Sequence, residues 1–464
     1  MTASVVPRVA AVAVTDSTAP RVAAGAVTGP ATAVVAAPRA LYIHVPFCVS
    51  VCPYCDFVVF PGAAARGPRA RLDSYVEAVT TELELRADAA DARFGAPVGS
   101  GAIGDAGAIG GELRAIGGEL RAIDGGRPPL RSVYLGGGTP SLLPAGDVAR
   151  LLATIERRFG LAPGAEVTIE VNPGPDDRGD LAGFRAAGVT RVSIGAQSLD
   201  AAELRRLGRR HGPEDVAATV TAARRAGFAS ITLDLLYDLP EQTLDGWQRT
   251  LDAALRLRID HLSAYALTLD DPDAEGLAGP LGDHVPLRRG ARRWRIGARA
   301  GQDEARAAEM YALADERLHA AGFRWYELSN WARPGHESRH NLAYWWREPY
   351  EAVGVGAHAF DGAVRRWNAA RLDGYLGALG EGHLPPGCSE RLGSEAIRTE
   401  RLLLGLRLAE GIAWTEGAAG CGRATDGALA WARENGLLEP GREGRVRLTL
   451  RGRLLLDEIL ARAS

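Results

Sequence analysis

Lysine is absent from this chain, methionine occurs twice and cysteine five times. All 54 basic side chains are therefore arginine, set against 57 acidic ones. That balance, with no long run of one sign, removes the electrostatic footprint of a nucleic-acid binder, and no nucleic acid is expected as a partner. No apolar run reaches the ~20 residues of a membrane-spanning helix, which leaves at most peripheral association with a membrane. Disulfide spacing is missing too, and that favours a reducing, cytoplasmic setting. The excess of Ala, Gly and Arg reads as genomic base composition rather than as function.

Three of the five cysteines crowd into eight residues: Cys48, Cys52 and Cys55 form C-x-x-x-C-x-x-C directly after the apolar run Leu41–Val45. Their number is odd and their spacing poor for mutual disulfides, so metal ligation comes first. A structural zinc site needs a fourth ligand, usually from a second pair of cysteines, and no second C-x-x-C follows. Three thiolates with one position left open suit an iron–sulfur cluster better. The array, with Tyr54 before its last cysteine, resembles the cluster motif of radical S-adenosylmethionine (SAM) enzymes. That resemblance implies a 4Fe-4S cluster on the three cysteines, SAM chelating the fourth iron, and Tyr54 close to the cofactor.

Length and patterning predict an α/β chain with a small second domain. Residues 1–38, rich in Ala, Val, Pro and Thr, read as a disordered extension. From residue 39 to 285, short apolar runs alternate with helical patterns, as βα units around a parallel sheet do. Runs at 41–45, 132–135, 167–171, 191–195, 231–235 and 261–265 give six strands, hence a partial (β/α)6, TIM-like barrel. Residues 87–129 interrupt it, with GGELRAI starting at Gly110 and again at Gly117, and read as a low-complexity surface loop. The stretch from 270 to about 303 reads as an acidic and then arginine-rich loop. Residues 286–390 are expected to complete the barrel. Residues 391–464 read as a C-terminal helical domain with a two-stranded wing, resembling a winged helix. The arginines of that wing form no obvious DNA-reading helix.

Barrels of this kind build their sites at the carboxyl ends of the strands. Gly136-Gly137-Gly138-Thr139 follows a strand there, and glycines let backbone approach a ligand. Glu170 and Asp234 interrupt apolar runs, where burying a carboxylate is costly; from local sequence each is equally an exposed edge residue or a cap. The blocks YIHVPFC, YLGGGTPSLL, TIEVNPG, RVSIGAQSLD, LGRRH and LDLLYDLPEQT, in this order over residues 40–270, resemble the oxygen-independent coproporphyrinogen III oxidase-like radical SAM proteins. By that resemblance Tyr42, Gly138, Thr139, Glu170, Gln197, Arg209 and Asp234 contact SAM. An acid pair suits ribose hydroxyls and the ammonium, and an arginine suits the carboxylate.

Two branches of that family divide at Phe57. The oxidase branch, which decarboxylates coproporphyrinogen III to protoporphyrinogen IX, has a fourth cysteine at the position Phe57 occupies. The HemW-type heme-chaperone branch resembles the CPYCDF found here. Downstream, His340, Asn341, Tyr344 and Trp345 form an H-N-x-x-Y-W motif that the chaperone branch associates with heme. Imidazole is a usual axial ligand of heme iron, and flanking aromatic rings can face a porphyrin. His336 and His358 compete with His340 for the iron. The resemblance implies heme as cargo, acceptor hemoproteins (respiratory ones foremost) and an electron donor as partners, with coproporphyrinogen III dehydrogenation as the enzymatic alternative.

Overall fold

The computed structural model describes residues 35–65, 67, 70–98, 113–116, 119–122, 126–269, 277–415 and 422–463. The amino-terminal extension up to residue 34 and much of the 87–129 insertion lie outside them.

Six parallel strands, in chain order, form the centre of a twelve-stranded sheet: β1 (Ala40–Val45), β2 (Leu130–Gly137), β3 (Leu161–Val171), β4 (Arg191–Gln197), β5 (Ser230–Tyr237) and β6 (His261–Ala266). Each overlaps an expected strand, and the chain is the partial α/β barrel that the sequence predicts. Helices return the chain between them; the one over Leu244–Arg256 starts at Thr243, whose hydroxyl caps Gly246 N–H.

Side chains alternate along these strands with period two. Ile43, Val45, Val133, Leu135, Val167, Ile169, Val192, Ile194, Ile231, Leu233, Leu262 and Ala264 face the helices and form the main core. The other set is polar: Tyr42, His44, Ser132, Tyr134, Glu166, Thr168, Glu170, Arg191, Ser193, Thr232, Asp234, His261 and Ser263. A parallel sheet covered on both faces normally reads as unbroken apolar runs. Here one face of every strand is reserved for a polar lumen.

Residues beyond β6 widen the sheet at both edges. Asn330–Ala332 pairs antiparallel with β6, and Arg324–Glu327 pairs outside it. At the other edge Tyr350–Val353 runs parallel to β1, followed by His358–Phe360, Val364–Asn368 and Gly387–Arg391. The carboxy-terminal residues add helices Ser394–Arg407 and Arg423–Glu434 and a three-stranded antiparallel sheet, with its own core around Leu402, Leu406, Trp414 and Leu429. Arg453 fastens this unit to the barrel through Asp315 at 2.7 Å.

Three expectations change. The first helix is α1, Leu72–Phe94, so residues 87–94 are helix and not loop. The GGELRAI copies contribute Leu113–Ile116 and Glu119–Ala122, which pair antiparallel, and the second pairs with Val35–Ala36. The arginine-rich stretch expected as loop contains the helix Arg289–Arg299. Arginine is a good helix former, and Arg295 and Ala298 are buried on its inner side.

Candidate functional site

A cavity of about 240 Å³ opens at the carboxyl ends of the strands and runs down into the polar lumen. Its rim is the loop after β1, with Cys48, Cys52, Tyr54, Cys55 and Phe57; its walls include Gly138, Thr139, Glu170, Gln197, Arg209 and Asp234. With Tyr265 of β6 also in the lining, residues from six separate strand ends meet in one space.

The cysteine loop is held from three directions. Cys55 N–H donates to Cys52 O at 3.1 Å, closing the turn between two ligand candidates. Thr139 Oγ1 lies 3.4 Å from Cys48 Sγ and accepts from Asn172 Nδ2 at 2.9 Å. Arg209 Nη1 lies 3.6 Å from Cys52 Sγ, and its Nη2 donates to Asn172 Oδ1 at 2.7 Å and Gly195 O at 2.8 Å. From outside, Arg295 donates to the carbonyls of Pro53 and Cys55 at 3.1 and 3.0 Å and pairs with Asp56. The helix Arg289–Arg299, which sequence reasoning missed, is therefore the clasp of the cysteine loop.

Burial pushes the Cys48 thiol up to about 11 and the Cys55 thiol well above its usual range. Thiols so placed need a cation to become thiolates. Among the described residues no three His, Cys, Asp or Glu side chains converge as a single ion requires. A four-iron cube takes each thiolate on a different iron, so the triad need not converge. Gly138 fits the same picture: a Cβ there would stand 2.7 Å from Phe47 O, so only glycine lets the two loops pack.

Glu170 is an acid of the wall that its surroundings perturb. It accepts from Tyr134 Oη and from Gly137 N–H, both at 2.9 Å. Burial, and then the nearby Asp234 charge, raise its pKa to about 8. Asp234 is itself raised by burial and accepts from Ser193 Oγ at 2.8 Å. Neither is an edge residue or a cap; both face the lumen. Gln197 holds the left-handed backbone region with φ +65°, uncommon for a residue with a side chain and found where a site imposes it. Tyr42 differs from the rest: it stacks on Tyr134 at 6.2 Å, its hydroxyl is 3.0 Å from His44 Nδ1, and it stands behind the cavity wall.

The H-N-x-x-Y-W residues sit at the opposite end of the barrel. The short helix Arg339–Trp345 closes the base of the lumen. His340 has no exposed surface; its Nδ1 is 3.1 Å from Ser132 Oγ and its Nε2 2.8 Å from Tyr344 Oη. Both ring nitrogens are engaged in this conformation, and the ring braces the plug. Glu166 anchors the plug by accepting from the backbone N–H groups of Arg339 and His340 at 3.2 and 3.1 Å. Asn341 reaches the cavity from below. Tyr344 packs on Tyr350, and Trp345 lies under the Arg407 guanidinium against Leu404 and Leu408. His336 approaches Ser230 Oγ at 3.2 Å, and buried His358 stands 3.0 Å from Asp283 Oδ2.

The model of the Radical SAM superfamily matches residues 111–254, a stretch that begins after the cysteine triad. The chain is 38% identical over 423 residues to "Heme chaperone HemW" of Mycobacterium tuberculosis (strain ATCC 25618 / H37Rv), covering 91% of this chain and 94% of that one. The chain belongs to the HemW family of radical SAM proteins. The family's Escherichia coli (strain K12) member is 31% identical over 338 residues, 72% of this chain and 74% of its own. Among solved structures, that of coproporphyrinogen III oxidase (HemN) from Escherichia coli superposes with a TM-score of 0.69 at 20% identity, covering 94% of this chain and 91% of that one. At that identity the likeness is one of fold, and it extends past the barrel into the carboxy-terminal unit.

Proposed function

We propose that this chain binds heme and passes it to acceptor hemoproteins, carrying a 4Fe-4S cluster on Cys48, Cys52 and Cys55 with SAM beside it. The observation that carries the reading is similarity, over nearly the whole length of both chains, to relatives named heme chaperones. Phe57 supports it, because it removes the fourth cysteine of the oxidase pattern from the cavity rim.

In this reading the cluster, when bound, supplies an open iron position and single-electron chemistry. Arg209, already fixed by Asn172 and Gly195, turns its remaining charge toward the SAM carboxylate. Glu170 and Asp234 suit the ribose hydroxyls and the ammonium; for these roles Glu170 must give up the proton that burial favours. The backbone at Gly138 and Thr139 lies open to the amino group, and Tyr54 and Gln197 bound the cofactor at the rim. The H-N-x-x-Y-W motif acts from beneath, His340 fixing the plug through Ser132 and Tyr344.

Heme titration of the cluster-bearing protein tests this. A saturable Soret shift, followed by transfer of the absorbance to an apo-hemoprotein, is expected. Absence of any Soret change in protein with full iron content would overturn it. Conversion of coproporphyrinogen III under anaerobic, reducing conditions with SAM would instead assign the chain to dehydrogenation.

A further inference from the structure

Four lumen side chains play no part in that reading, yet each keeps a buried polar atom that no described group partners: Thr168 Oγ1, Arg191 Nη2, Thr232 Oγ1 and His261 Nδ1. Their residues are 0, 4, 2 and 1% exposed, and all four line the same cavity. Register sets Thr168 beside Arg191 and Thr232 beside His261. On their own strands Thr168 and Thr232 stand one inward position below Glu170 and Asp234. They form a separate tier, between the acids expected at SAM and the plug.

A buried donor or acceptor left unpaired costs about 1–3 kcal/mol, so four in one chamber imply an occupant. The donors identify it. Arg191 Nη1 is used by Ser230 Oγ and His336 O at 3.0 and 2.9 Å. Glu166 pairs with the same nitrogen at 3.5 Å while also accepting from the plug backbone, which partly compensates the guanidinium charge. Nη2 is left to face the lumen. Tyr326 Oη accepts from Ser338 N–H and can donate to His261 Nε2 at 2.8 Å, which assigns the ring proton to Nδ1 on the lumen side. The two threonine hydroxyls can each act as donor or acceptor. Four donors and one cation match the roughly four lone-pair directions of a carboxylate.

We propose that this lower tier is a subsite for the carboxylate of a short organic acid, held by Arg191, Thr168, Thr232 and His261 beneath the SAM position. With about 240 Å³ for the whole cavity, the occupant is a short acyl chain, free or as the arm of a larger molecule. The proposal stands independently of the heme reading.

Equilibrium dialysis of cluster-bearing protein at pH 7 against radiolabelled propionate, with propionamide as the neutral isostere, tests it. Saturable propionate binding is expected, stronger than propionamide by about tenfold, the worth of one charge-assisted hydrogen bond. Arg191→Gln and Thr232→Val should each weaken it; the second is nearly isosteric, so its loss is not a loss of fold. Displacement by heme but not by heme dimethyl ester supports an arm as the source, and displacement by neither supports the free acid. Equal binding of both probes, no saturable binding, or wild-type affinity in both variants overturns the proposal and leaves the chamber to water.

Discussion

His340 Nδ1 lies 3.1 Å from Ser132 Oγ, a contact between residues 208 positions apart that closes the base of the barrel. With Tyr344 on the other nitrogen, the imidazole is a cross-brace between β2 and the plug helix. His340→Ala removes both hydrogen bonds and leaves a hole. It should lower the unfolding free energy by about 2–4 kcal/mol, measured by urea denaturation. The folded fraction should keep its heme-induced Soret shift. A variant of undiminished stability that loses that shift would return His340 to the iron.

Cluster ligation separates the cysteines. Cys48→Ala, Cys52→Ala and Cys55→Ala should each bring iron and acid-labile sulfide in anaerobically purified protein close to zero. Cys388→Ala should change neither, because Cys388 is exposed on the strand Gly387–Arg391, far along the sheet from the cavity.

The clasp helix predicts a rate rather than an amount. Arg295→Ala frees the carbonyls of Pro53 and Cys55 from their buried partner. Iron loss to a chelator should be several-fold faster than in wild type, while Cys48, Cys52 and Cys55 still assemble a cluster on reconstitution. Chelation at the wild-type rate would show that the loop holds itself.

Glu170 sets a pH dependence in ligand-free protein. Its folded pKa of about 8 lies above the ordinary carboxylate value of 4.5. The folded state therefore holds a proton that the unfolded chain has released, and stability falls as pH rises between those values. Below the lower value both states are protonated and the contribution is complete; above the upper value it is lost. Melting temperature should decline from pH 5 to 9 more steeply in wild type than in Glu170→Gln. Parallel declines would remove Glu170 as the cause.

SAM affinity should depend on Arg209. Replacing it by Gln removes a charge held by Asn172 and Gly195. Binding of SAM to cluster-bearing protein should weaken by about tenfold to a hundredfold, the range for a hydrogen bond to a charged group. Iron content serves as the control.

The barrel was legible because short stretches with apolar residues at alternate positions, each ended by a turn, interleave with helical patterns. The cysteine triad was legible because three thiols in eight residues stand out from a cysteine-poor chain. The edge strands at 350–353, 358–360, 364–368 and 387–391 were not, being short and mixed in polarity, with pairing that long-range contacts decide. The helix at 289–299 was hidden by its charge: five arginines within Arg289–Arg299 read as solvent-facing, whereas Arg295 is buried against carbonyls. The lumen was written in the sequence and not read. Thr168 with Glu170, Arg191 with Ser193, Thr232 with Asp234 and His261 with Ser263 repeat a polar residue at every second position. Sequence places His340 near aromatic rings but does not reveal that Ser132 and Tyr344 engage both its nitrogens.

The plug has a consequence for the order of arrival. Among the described residues the chamber is closed at its base by His340, Glu166 and Tyr344 and opens at its mouth, where the cysteine loop, Glu170 and Asp234 stand. On the proposed reading, in which SAM sits at that mouth, an occupant of the lower tier would enter before SAM and leave after it, and SAM would serve as its lid.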